Sequence, residues 1–196
     1  MSTFLTTVFE ASDRIRDGRT TADVYIALLE EYGELIQEVT ALSGFSKVTE
    51  AGPDGVAGEA IDVALCAIDI YRLRCSGATE TRAIFEWFPG LPSTEDSFFG
   101  RVLGDAVRPL ALEDRLARMG ERIGHLAAGV LRPAAGGLPG LLDPINETAI
   151  EIAIQAVRLA QAVTPGLDEA RLVALARPKL EKYLSVRASL PNEEMV

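Results

Sequence analysis

At 196 residues the chain is long enough for one domain with a full core, or for two small units packed as one. With 48% hydrophobic and 24% charged residues its composition is that of a globular protein, not a disordered one. A net charge of −10 excludes a broad nucleic-acid surface, which would be basic, but leaves room for a small anion clamped by a metal and a few cations.

Aromatics make up only 6% while Ala and Leu abound, which favours helix over strand. The apolar runs fall far short of the ~20 residues that cross a bilayer. No basic segment followed by an apolar stretch opens the chain. A cytoplasmic protein without a membrane partner is expected. Cys66 and Cys75, nine residues apart along one helical pattern, are too distant to bridge and are expected as reduced thiols.

Apolar periodicity is helical almost throughout. The spacing predicts a first helix over about Phe4–Asp17, stopped by Gly18. Thr20-Thr-Ala-Asp23 reads as a capping signal for a second helix to about Leu42, with Leu28, Tyr32, Leu35, Val39 and Leu42 as its apolar stripe. Gly44, Gly52 and Pro53 mark Ser43–Pro53 as a loop. A third helix follows over about Gly55–Arg74 and ends at Gly77. A short helical piece, Glu80–Phe88, meets Pro89-Gly-Leu-Pro92, the expected boundary between a unit of residues 1–90 and a unit of residues 91–196. Ser93 and Asp96 look like the cap of a helix over about Ser97–Arg108, and another spans about Leu112–Leu131. Pro133–Leu142 is a Gly/Pro-rich loop. Asp143-Pro144 supplies an N-cap and a proline at the first position of a helix to about Val163. Asp168 caps a last helix reaching about Ser189, with Pro178 as a kink or break.

This order nearly repeats. Phe4, Leu5, Val8 and Phe9 match Phe98, Phe99, Val102 and Leu103. Tyr32, Gly33, Leu35 and Val39 match Ile123, Gly124, Leu126 and Val130, and Ile61-Asp-Val-Ala-Leu65 matches Ile150-Glu-Ile-Ala-Ile154. The shift drifts from 94 to 91 to 89 residues, and the changes fall between helices. The expected architecture is therefore an all-α bundle of two fused, similar units.

Two acidic pairs carry the chemistry. Glu31–Glu34 and Glu59–Asp62 each have two intervening residues, so on helices each pair presents both carboxylates in one direction. The second pair opens a segment, Ala57–Ile70, that is apolar nearly all round and hence buried. Carboxylates there are costly without a cation or hydrogen-bond donors. Four of them facing one another make an oxygen-rich site for a hard divalent ion, Mg²⁺ first and Mn²⁺ as the alternative. In the repeat register Glu31 aligns with Arg122, Glu34 with His125, Glu59 with Thr148 and Asp62 with Glu151. Only the first unit is expected to hold metal, giving one site per chain.

At these residues the sequence resembles the all-α nucleoside triphosphate pyrophosphohydrolases, the MazG-like superfamily. The family's E-x-x-E, spacer, E-x-x-D signature stands here as Glu31-Tyr-Gly-Glu34 and Glu59-Ala-Ile-Asp62, within the run Leu28-Leu-Glu-Glu-Tyr-Gly-Glu-Leu35. The resemblance implies a small bundle paired with a second copy, four acids holding Mg²⁺ against a nucleotide's phosphates, and hydrolysis of a (d)NTP, or in some branches dUTP or dUDP, to the monophosphate. Asp168-Glu-Ala-Arg171 through Lys179-Leu-Glu-Lys182-Tyr183 resembles the family's closing helix, whose lysines approach phosphates. The first unit lacks a full closing helix of its own and the second lacks the acids, so the resemblance implies a degenerate second unit standing in for a partner subunit.

Glu31, Glu34, Glu59 and Asp62 are thus the expected metal-holding and catalytic acids, with one of them, Glu30 or Glu38 as general base. Glu38, two turns beyond Glu31, is alternatively an outer ligand. Asp69 reads as a substrate or metal contact or as a partner of Arg72. Lys179, Lys182 and Arg82 are candidate phosphate contacts, against the ordinary reading of a basic surface helix. Phe85, Trp87 and Phe88 stack on a base or pack in the core. His125, the sole histidine, has no zinc-ligand spacing around it. The expected partner is a small nucleotide, and a further pairing of two chains into a homodimer stays open. The rival readings are a helical nucleotide sensor without turnover, a protein-interaction module, and phosphoribosyl-ATP chemistry within the same superfamily.

Overall fold

The computed structural model describes residues 3–15, 18–44, 52, 54–74, 98–104, 110–130 and 144–189, with side chains to 186. Among these residues the protein is all-α, with seven helices and no strand. They are α1 (Phe4–Arg14), α2 (Thr21–Leu42), α3 (Gly55–Arg74), α4 (Phe98–Gly104), α5 (Leu112–Val130), α6 (Pro144–Val163) and α7 (Glu169–Ser189). No helix among them is long and apolar enough to cross a membrane.

Local chemistry accounts for the helix ends. Thr3 caps α1, its hydroxyl accepting from the Thr6 N–H at 3.2 Å. The expected first helix is shorter by a turn: Ile15 closes it, donating its N–H to the Ala11 and Ser12 carbonyls, and Gly18 turns the chain at φ 71°. At α2 the capping box is reciprocal. Thr20 Oγ1 accepts from Asp23 N at 3.2 Å, and Asp23 Oδ2 accepts from Thr20 N at 2.8 Å. Asp168 Oδ1 caps α7 by accepting from Arg171 N at 2.8 Å. Pro178 lies within α7, and the helix continues through it to Ser189. The expected Glu80–Phe88 helix, the Pro89–Pro92 boundary, the Ser93/Asp96 cap and the Pro133–Leu142 loop lie outside the described residues.

The centre of the molecule is the α3–α6 pair, the most extensively packed in the fold. Each of the two carries a stripe of fully buried alanines at helical spacing, Ala60, Ala64 and Ala67 in α3 and Ala149, Ala153, Ala156 and Ala160 in α6. Such small side chains let helices approach closely. Helix α2 lies on α3 and α5 lies on α6, while α1 crosses α3 and α4 packs on α6. Tyrosines fasten α2 to α5: Tyr25 Oη donates to Ile123 O at 3.2 Å, and Tyr32 Oη donates to Leu116 O at 2.8 Å. Phe4 meets Phe99 edge-on at 5.0 Å between centroids, joining α1 to α4. Helix α7 packs on α1, α3 and α4, tied at its start by Glu169 Oε1 accepting from Phe4 N at 2.9 Å. Its middle, from Lys179 to Tyr183, lies over the acidic pairs of α2 and α3.

Candidate metal and phosphate site

Helix α2 brings Glu31 and Glu34 to one wall of a cleft, α3 brings Glu59 and Asp62 to a second, and α7 adds Lys179, Lys182 and Tyr183 as a third. The cleft has a volume of about 720 Å³. Carboxylate oxygens of Glu31, Glu34 and Glu59 all lie within 4.8 Å of one another. Glu59 is buried at 7% exposure, Glu31 is half-buried and Glu34 is exposed. Asp62, also buried, is the fourth expected acid but stands apart from this trio: its Oδ2 is ion-paired with Lys179 Nζ. The same ammonium reaches Asp54 Oδ2 at 2.7 Å. Tyr183 Oη donates to Glu31 Oε1 at 3.0 Å. Gly58 makes the Asp54 contact compatible with the helix, since a Cβ there would stand 2.6 Å from Asp54 Cβ.

The electrostatics follow from that crowding. Burial, then the charge of Asp62, pushes the Glu59 pKa up to about 7. Glu31 is raised by burial and by Asp62, with the Tyr183 hydrogen bond and Lys179 pulling the other way. Asp62 is raised too, because burial outweighs the hydrogen bond and charge of Lys179. Burial works to lower the Lys179 pKa, but hydrogen bonds to Asp54 and Asp62 carry it above the ordinary lysine value. Asp54 is held low by the same lysine. The carboxylates of the cleft outnumber its two lysines, and burial with their mutual repulsion favours the protonated form of Glu59, Glu31 and Asp62. Three hard oxygen donors on two rigid helices fit Mg²⁺ or Mn²⁺ by donor chemistry.

Other expected residues fall elsewhere. Glu30 is exposed and lines the cleft, as does the exposed Lys182. Glu38 is buried at 7% exposure, and its Oε1 accepts the Gly52 N–H, so it holds Gly52 against α2 and does not line the cleft. Asp69 lines a neighbouring, mainly apolar cleft of about 230 Å³, with Tyr183 in the wall of both. There it binds Ser12 Oγ and Arg19, the Arg19 Nη2 contact being 3.1 Å. The alternative pairing of Asp69 with Arg72 is not formed. Arg72 instead bonds Asp13 at 2.8 and 2.9 Å and lies 4.9 Å over the Phe9 ring. Cys66 is buried in the wall of the apolar cleft, and burial holds its thiol well above the usual range. Arg82, Phe85, Trp87, Phe88 and Cys75 lie outside the described residues.

In the second half, Arg122, His125, Thr148 and Glu151 line one cleft of about 450 Å³. These are the four positions that the repeat register aligns with the four acids. Arg122 Nε pairs with Glu151 Oε2 at 3.0 Å.

Two residues of the site were missed in the sequence, Asp54 and Tyr183. Tyr183 had a signal, lying four residues after Lys179 and so on the same face of α7. Asp54 had only its place one residue before α3, where its carbonyl accepts the Gly58 N–H at 3.2 Å. Comparisons with protein-family models, with curated proteins and with solved structures return no match for this chain.

Proposed function

We propose that the protein is a Mg²⁺-dependent nucleoside triphosphate pyrophosphohydrolase, converting a (d)NTP and water to the monophosphate and pyrophosphate. The observation that carries this reading is the convergence of Glu31, Glu34 and Glu59 oxygens within 4.8 Å in a cleft that also holds Lys179. The reading includes a duplicated, MazG-like architecture in which the second unit has lost its acids and replaces a partner subunit.

Glu31, Glu34 and Glu59, with Asp62 beside them, are the residues to hold Mg²⁺. When bound, the ion supplies neutralising charge for the phosphates and makes a neighbouring water easier to deprotonate. Tyr183 keeps the Glu31 carboxylate turned into the cleft. Lys179 is the cation nearest the acids and offers its ammonium to a phosphate, while the exposed Lys182 extends that wall. Glu30, which lines the same cleft, is in this reading the general base for the water that attacks the α-phosphorus. Attack there breaks the bond between the α-phosphorus and its bridging oxygen, and pyrophosphate leaves. The apolar cleft beside Tyr183 is the adjoining space for the nucleoside.

The test is a panel of (d)NTPs and (d)NDPs assayed for pyrophosphate or phosphate release with Mg²⁺ or Mn²⁺. Pyrophosphate release by the wild type that disappears in Asp62→Asn, with unchanged helical circular dichroism, supports the proposal; undiminished activity in that variant removes it. A second reading, nucleotide sensing without turnover, is favoured by one feature, the pairing of Lys179 with both Asp54 and Asp62. A site partly neutralised from within binds without necessarily activating water. Saturable Mg²⁺–nucleotide binding with no product is the result that selects it.

A further inference from the structure

We infer that the second half carries an anion site, formed by Arg115 and Arg118 of α5 and Arg158 of α6, that takes a small phosphate-bearing ligand. Arg115 is 4% exposed, and its Nε has no hydrogen-bond partner. The Nε of Arg158 and, one turn before it on α6, the Oε1 of Gln155 are likewise buried and unpartnered. Among the described residues no carboxylate bonds to or ion-pairs with any of these three arginines. Burial, then the charges of Arg158 and Arg118, pulls the Arg115 pKa below the usual guanidinium value. A buried charge with only like charges around it strongly destabilises a fold unless something compensates it.

The chemistry of the arrangement selects the ligand. Guanidinium forks match phosphate oxygens two at a time. Three cations are better matched by a multiply charged phosphate or pyrophosphate group than by a single carboxylate. Because Arg115 is buried, the ligand must be small enough to enter between the helices, which excludes a protein surface.

The site also has a counterpart in the first half, in the sequence register. In the register that aligns the halves, Arg115, Arg118, Gln155 and Arg158 stand where the first half has Val24, Ala27, Cys66 and Asp69. Those four residues all line the apolar cleft beside the acids. The same place in the fold is apolar and holds an acid in one half, and is basic and polar in the other. The burial and the missing partners stand whether or not the acids bind Mg²⁺.

The test uses the full chain in EDTA, which silences any divalent-metal site. Pyrophosphate, inorganic phosphate and a nucleoside triphosphate are titrated by calorimetry, and melting temperatures are read against sodium chloride of equal ionic strength. Saturable binding and a rise in Tm that chloride does not reproduce are expected. Tightest binding of pyrophosphate assigns the free anion, and tightest binding of the triphosphate assigns a nucleotide; either supports the site. Arg158→Gln, at a half-buried position, weakens binding roughly tenfold or more. Arg115→Met loses the response and melts higher than wild type without anion. Asp62→Asn keeps the binding. Absence of saturable binding in the wild type, or unchanged affinity in Arg158→Gln, overturns the inference, and the Arg158 variant decides it should Arg115→Met fail to fold.

Discussion

The clefts in the two halves of the molecule differ in how far their acids are matched by cations: six carboxylates face two lysines in the first, and Glu147 and Glu151 face Arg122 in the second. On α2 and α3 the cleft presents Glu31, Glu34, Glu59 and Asp62, and on α5 and α6 it presents Arg122, His125, Thr148 and Glu151. In the first set burial, then the charge of Asp62, raises the Glu59 pKa to about 7 despite Lys179. The second closes on itself through the Arg122–Glu151 pair, and Glu151, although raised by burial, is drawn back by that arginine. The difference lies also in α7, which packs on α1 and α3 and brings Lys179 and Tyr183 to the first cleft only. The helix packing is alike around the two clefts, and the surplus of unmatched carboxylates is confined to the first.

The largest expected effect separates the halves directly. Asp62→Asn should lower Mg²⁺-dependent pyrophosphate release by about a hundredfold or more. Glu151→Gln, at the aligned position, should leave it within about twofold. Equal losses in the two variants would mean that the asymmetry of charge is not an asymmetry of function.

Next in size is the pH dependence that the surplus of acids imposes. Glu59 titrates near 7 in the fold and near its ordinary value of 4.5 when unfolded. Between those values the native state binds more protons than the unfolded one, so metal-free stability falls as pH rises from about 4.5 to about 7 and then levels off. Glu59→Gln should remove that contribution and melt higher than wild type at pH 8, with the advantage vanishing below pH 4.5. Mg²⁺ competes with the same protons, so its apparent affinity should climb through pH 7 with protons released. Calorimetry in two buffers of different ionisation enthalpy reads that release, and a buffer-independent heat near pH 6.5 would contradict the placement of the metal on these acids.

A smaller loss is expected at Tyr183→Phe, which deletes the hydroxyl donated to Glu31 but keeps the ring between the two clefts. One hydrogen bond to a carboxylate at a partly open site is worth about 1 kcal/mol, or several-fold in activity. The effect should appear in kcat/KM with Mg²⁺ and not in the anion binding of Arg115, Arg118 and Arg158. A variant as inactive as Asp62→Asn would make Tyr183 part of the chemistry and not a support for Glu31.

Much of this site was legible in the sequence, and the misses have a common cause. The capping box at Thr20 and Asp23, the start of α3 at Gly55 and the shared face of Glu31 and Glu34 follow from local spacing, whereas the approach of Glu59 to that pair is a contact between two helices. Glu38 and Asp69 share the angular position of Glu31 and Asp62 on their helices, but seven residues of rise carry each about 10 Å along the axis. That distance is enough to exchange the cleft for Gly52 in one case and for Arg19 and Ser12 in the other. The Asp62–Lys179 pair and the Tyr183–Glu31 bond join residues 117 and 152 positions apart, and no periodicity registers a contact of that range.

The smallest effect tests the shared frame itself. Gly33 of α2 and Gly124 of α5 align in the repeat, and a Cβ added at either would meet no atom within 4 Å. Neither has the left-handed backbone that would require glycine. Alanine at each should therefore stabilise the fold by about 0.5–1 kcal/mol, the helix-interior difference between the two residues. Because the added Cβ meets no atom within 4 Å at either site, the two gains should add in the double variant. Chemical denaturation measures this. A gain at one position and a loss at the other would show that the two helices, alike in sequence pattern, occupy unlike surroundings, and would weaken the case for a common origin of the halves.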